Sequence, residues 1–197
     1  MSIRTLFAGI LSGVVMFIWS FIGHDLLPIG KAGVHEMLNE DAVASALQSN
    51  IGDQTGFYFF PAPGVGPDAT RQQKEEAMKK AMEKMATAPS GVLIYHPPGR
   101  TFNLAKALGT EFATELVEAI LLVFLLAQSG ISSFAGRVGF IFIAGLVAAI
   151  ATNIPYWNWY GFPTDYTRGY MLIQIVGFLC VGIVAALLLG KRTAQPA

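Results

Sequence analysis

Three glutamates on one apolar stretch are the groups best placed to do chemistry in this chain. Glu111, Glu115 and Glu118 stand in GTEFATELVEAILLVFLLAQ, residues 109–128. At about 100° per residue, Glu115 lies roughly 40° and Glu118 roughly −20° from Glu111, so the three share a helix face. Thr114 falls beside them. The second half of the stretch is Leu, Ile, Val and Phe, and its length suits a membrane-spanning helix. Carboxylates in such a place need a proton, a cation or hydrogen bonds inside the protein. Glu118 would sit about 13 Å along the axis from Gly109, near mid-membrane.

Other polar groups fall at matching depths. His24 and Asp25 end the first apolar run, and Asn153 ends the third. Asp165 and Arg168 precede the fourth, and Gln174 lies just over one turn into it. His96 and Arg100, in HPPGR, come shortly before the glutamates. One chemistry is a buried ion pair or a proton or ion path through Glu111, Glu115, Glu118, Arg168 and Gln174, with Arg168 or Arg100 as counter-ion. Another is a metal site, with Glu115, Glu118, His24 and His96 as candidate ligands. Carboxylate and imidazole together suit Zn, Fe or Mn. The sequence has no HExxH, no ExxH and no pair of cysteines, so no established metal spacing supports that site. No Ser-His-Asp or Cys-His pattern stands out, and catalytic and cofactor-binding residues stay unassigned.

Several other features read as structure. His35 and Glu36 lack a second His at helical spacing. Met78, Met82 and Met85 repeat as a helix-packing stripe rather than a copper run. Tyr156, Trp157, Trp159 and Tyr160 fit an interfacial aromatic anchor, with stacking on a quinone or headgroup as the alternative. PGVGP (63–67) is a turn without the spacing of a nucleotide loop.

The elements that must position these groups follow from hydropathy. The chain has 197 residues, 53% hydrophobic and only 13% charged, which is a membrane composition. Its zero net charge points away from nucleic acid. A single cysteine, Cys180, excludes an internal disulfide. Four spans are expected. The first lies within residues 1–23, apolar from Leu6 and uncleaved, with Gly9 and Gly13 as a close-approach motif. The others are 109–128, 138–153 and 171–189, with an aromatic outer loop at 154–170. Lys191 and Arg192 open a tail at 191–197. Residues 24–108 form a long polar insertion. It reads as a helix from Glu40 capped by Asn39, a strand in 55–60, a helix capped by Asp68 and ending near Ala86, and a strand in 91–96.

The expected fold class is therefore an all-α membrane protein, a four-transmembrane-helix bundle with a small α/β extracytoplasmic insertion between helices 1 and 2. Arg4, Arg137, Lys191 and Arg192 place both termini in the cytoplasm and residues 24–108 in the periplasm of a bacterial inner membrane. The expected partners are the lipid bilayer and other membrane subunits or a second copy of the chain. The leading functional expectation is a non-enzymatic accessory or scaffolding subunit. The alternative is a proton-, ion- or metal-handling membrane protein, either a transport component or a small metal- or quinone-dependent enzyme, using the Glu/His cluster.

Overall fold

A computed structural model describes residues 2–190 of the chain. The expected tail at 191–197, with Lys191 and Arg192, lies outside the described residues. The structure is mostly helical, with one small sheet. It divides into two units: one holds the described residues up to Val34 and from Phe102 onward, and the other is His35–Thr101.

In the first unit, α1 spans Ile3–Phe21 and is capped by Ser2, whose Oγ accepts from the Thr5 N–H at 3.1 Å. Helix α4 spans Leu104–Gln128, α5 Phe134–Tyr160 and α6 Thr164–Leu189. Helix α1 packs on α4 and on α6, and α6 also packs on α5, whereas α4 and α5 touch only lightly. Among the described residues three segments are long and apolar enough to cross a membrane: Ile3–Leu26, Phe134–Tyr160 and Thr164–Leu189. Lys106 and the three glutamates make α4 less apolar than these.

Glycines set the spacing of α1 and α4. A Cβ on Gly9 would fall 2.8 Å from the Ile120 Cα, and one on Gly13 would fall 2.8 Å from the Leu116 Cα. The two backbones are thus in direct contact, as small residues permit between apolar helices. The core holds Ala8, Met16, Ala119, Val123, Leu126, Ile141, Phe178, Val181 and Ala185.

Helix bounds depart from the apolar runs. The chain continues past α1 in a π-helical turn, Ile22–Leu26, in which Leu27 N–H donates to the Ile22 carbonyl at 2.9 Å. A 3₁₀ turn, Pro28–Lys31, then folds back on it. A Cβ on Gly30 would stand 2.6 Å from the His24 Cα, and one on Gly169 of α6 would stand 2.7 Å from the Ile29 carbonyl oxygen. Helix α4 begins five residues before 109 because Asn103 caps it, Oδ1 accepting from Lys106 N–H at 2.9 Å. The stretch expected as an aromatic loop, 154–170, is helical except at 161–163. Tyr and Trp do not break a helix, and α5 runs through Pro155 until Gly161, at φ +69°, ends it in the left-handed region.

The second unit has the expected order of helix, strand, helix, strand. Helix α2 is Glu40–Ile51, with Asn39 Oδ1 accepting from Ala42 N–H at 3.2 Å. Strands β1 (Gly56–Phe60) and β2 (Gly91–Tyr95) pair antiparallel, with Tyr58 opposite Leu93. The cap of α3 (Arg71–Met85) is Thr70, not Asp68. Thr70 Oγ1 accepts from Gln73 N–H at 3.3 Å, and Gln73 Oε1 accepts from Thr70 N–H at 2.8 Å. This reciprocal capping box satisfies two donors, where Asp68 would satisfy one. Thr70→Ala should therefore cost about 1 kcal/mol and speed amide exchange in the first turn of α3 roughly fivefold. Unchanged exchange there would assign the helix start to something else.

Candidate functional site

A cavity of about 210 Å³ opens among the four long helices, toward the end where α1 finishes and α6 begins. Its walls meet where α4 and α5 are only lightly in contact. Helix α4 contributes Glu111, Thr114, Glu115 and Glu118. Helix α5 contributes Thr152 and Asn153, and α6 contributes Tyr170, Ile173 and Gln174. Met16 and Ser20 come from α1, and His24 from the π-helical turn.

Glu115 is the most enclosed of the three carboxylates, at 5% exposure; Glu118 is half-buried and Glu111 exposed. Ser20 Oγ donates to Glu115 Oε1 in a short hydrogen bond. The other oxygen, Oε2, is buried and has no hydrogen-bond partner among the described residues. This follows from the glycine contact. Ser20 and Met16 share the face of α1 that carries Gly9 and Gly13, and that face lies on α4. Across the cavity, Asn153 Nδ2 donates to the Ala149 carbonyl at 2.9 Å and to Gln174 Oε1 at 3.1 Å. Both amide hydrogens of Asn153 are thus engaged, and its Oδ1 remains an acceptor.

The aromatic residues continue from this wall. The His24 and Tyr170 rings meet edge-on at 4.9 Å, and Tyr170 stacks on Tyr166 at 4.3 Å. Tyr166 contacts Phe162, and Phe162 contacts Tyr156, both at 5.5 Å. Tyr156 in turn tilts against Tyr160 at 5.5 Å. Trp157 Nε1 donates to Thr164 Oγ1 at 3.2 Å, so it ties the end of α5 to the start of α6. Trp159 is 77% exposed.

Arg168 pairs with Asp165 at 3.5 Å on an exposed turn of α6. Among the described residues no lysine or arginine forms a salt bridge with Glu111, Glu115 or Glu118. Within the first unit the hydrogen-bond donor to Glu115 Oε1 is the Ser20 hydroxyl. His96 and Arg100 belong to the second unit, where they border a shallow cavity with Leu47 and Leu93. Among the described residues no three His, Cys, Asp or Glu are grouped so as to hold one metal ion. Glu111 and Glu118 are seven residues apart, about 10 Å of helix rise.

Ser20, Thr152 and Tyr170 were not singled out by type or spacing. Ser20 sits in line with the small residues of α1, which was its one available signal. Tyr170 is indistinguishable in sequence from the neighbouring interface aromatics.

No protein-family model matches this chain, and comparison with curated proteins and with solved structures returns no significant match. Three apolar helices are compatible with an integral membrane protein.

Proposed function

We propose that the chain is a four-span integral membrane protein that handles a proton or a small cation in the cleft around Glu115. The observation that carries this reading is the buried Glu115 carboxylate, beside two further glutamates, with one oxygen unpartnered and no lysine or arginine lining the cavity among the described residues. A carboxyl group so enclosed needs a positive charge or a proton from outside the protein.

The outer face of α4 supports its being the fourth span. Val117, Leu121 and Leu125 are 55%, 56% and 53% exposed and recur every fourth residue. Helix α5 presents Ile143, Val147 and Ile150 in the same way, at 61%, 62% and 54%. Apolar side chains so uniformly exposed suit lipid, while Glu115 and Glu118 of α4 line the cavity. Four spans put both termini on one side, the cytoplasm of a bacterial inner membrane, and residues 24–108 on the other. Replacing Cys180 by Ser leaves no cysteine. Single cysteines placed at Gln54 and at Gly130 should then react with an impermeant maleimide from opposite sides.

The functional test is cation-driven proton movement in proteoliposomes containing a trapped pH dye. Wild-type protein should move protons, and Glu115→Gln should lower the rate at least roughly tenfold, since one group carries the charge. Glu111→Gln, at the exposed rim, should have the smaller effect. A wild-type rate equal to that of protein-free liposomes sinks the reading.

The accessory-subunit reading draws on the second unit. Phe57 and Phe59 on β1 and Ile94 on β2 are 47%, 48% and 67% exposed. A two-stranded sheet is marginal alone, and such side chains suit cover by a partner. A second protein mass in native mass spectra of detergent extracts would favour it.

A further inference from the structure

We infer that the ligand of the Glu115 cavity is a small protonated alkylamine, its ammonium group seated at Glu115 and its alkyl part against the apolar wall. This rests on the cation reading above and specifies the cation.

Charge selects a cation. Three carboxylates line the cavity, and no lysine or arginine does. Glu115 is nine-tenths buried, and its Oε2 has no partner. Size and spacing then select against a bare ion. Metal–ligand bonds of about 2 Å require ligands gathered on one point, whereas these glutamates are strung over two helical turns. A volume of about 210 Å³ also exceeds the share of one water, about 30 Å³, several-fold. The space suits a ligand of several heavy atoms.

The surroundings match an ammonium with a short tail. An ammonium offers three N–H donors and no acceptor. Glu115 is the charged acceptor. Asn153 Oδ1 is a second, because both of its amide hydrogens are already donated to Ala149 and Gln174. The Thr152 hydroxyl, from the same turn of α5, is a third. Met16 and Ile173, each 4% exposed, provide an apolar wall. Tyr170, held edge-on by His24, adds an aromatic ring that attracts cations. Ser20 holds Glu115 by its Oε1 and is a positioning residue.

The test is calorimetric titration of the full-length protein in mild detergent with propylammonium, tetramethylammonium, potassium and zinc. Propylammonium should bind saturably at one site. Tetramethylammonium has no N–H to donate and should bind at least roughly tenfold more weakly. Glu115→Gln should weaken propylammonium roughly tenfold or more, with helical circular dichroism and elution volume unchanged. Should that variant fail to fold, the selectivity of the wild-type protein decides alone. Equal affinity for tetramethylammonium, or no heat from propylammonium, overturns the amine assignment. Glu115-dependent binding of potassium or zinc without propylammonium overturns it too, but leaves the cation reading standing. If none of the four binds and proteoliposomes show no flux, both fall.

Discussion

Gly13→Leu should destabilise the protein by about 3 kcal/mol, the upper end of what overpacking costs. Even a Cβ at Gly13 would meet the Leu116 Cα at 2.8 Å and the Glu115 carbonyl oxygen at 3.3 Å. Two of these neighbours are main chain, so no rotamer change relieves the clash and α1 must move off α4. That movement also withdraws Ser20 from Glu115, so that Oε1 loses its donor as well. The comparison is Gly109→Leu on α4, where nothing lies within 4 Å of an added Cβ. That substitution should stay within about 0.5 kcal/mol of wild type, as open surface sites do. Chemical unfolding in detergent measures both. Equal losses in the two variants would mean that α1 and α4 are not in backbone contact.

Arg137→Leu should cost a similar amount, about 3 kcal/mol. Arg137 is 5% exposed in the first turn of α5. Its Nε donates to the Ile131 carbonyl at 3.0 Å, and its Nη1 to the Gly190 carbonyl at 2.6 Å. Arg4 donates likewise to the Leu188 carbonyl at 2.7 Å. The last carbonyls of a helix lack internal partners and carry partial negative charge. The two arginines therefore close the C-terminal end of α6 and join it to the starts of α1 and α5. Leucine fills the space but leaves two carbonyls unpaired, and hydrogen bonds from a charged donor are worth about 1.5–3 kcal/mol each. Arg168→Leu is the contrast. Its ion pair with Asp165 is mostly solvated, so the loss should be about 1 kcal/mol or less. An Arg137 variant as stable as the Arg168 variant would mean that Arg137 does not hold the end of α6.

The second unit shows how local signals fare. Asn39 before a polar helix, and two short β-rich runs between turn residues, define α2, β1 and β2 to within a residue or two. The start of α3 is ambiguous in the sequence because Asp68 and Thr70 are both good caps. Only Thr70 has Gln73 three positions on, which makes the reciprocal pair. The aromatic stretch departs from its expected loop for a different reason. Dense Trp and Tyr mark depth in a membrane, not backbone conformation. Only Gly161 and Pro163 carried the turn, and the rest of 154–170 stayed helical.

The sequence by itself determined what depends on composition and period. It defines long apolar segments, a polar insertion, a shared face for Glu111, Glu115 and Glu118, and a small-residue face on α1. Each is a property of one element, set by 100° steps and side-chain chemistry. Only the tertiary structure decided which faces meet. Glycine contact brings Ser20 to Glu115. Arg137 turns inward to a carbonyl that lies 53 residues further along the chain. Asn153 meets Gln174 across two helices. Such pairings depend on helix order and rotation, which packing of the whole unit selects and no local spacing encodes.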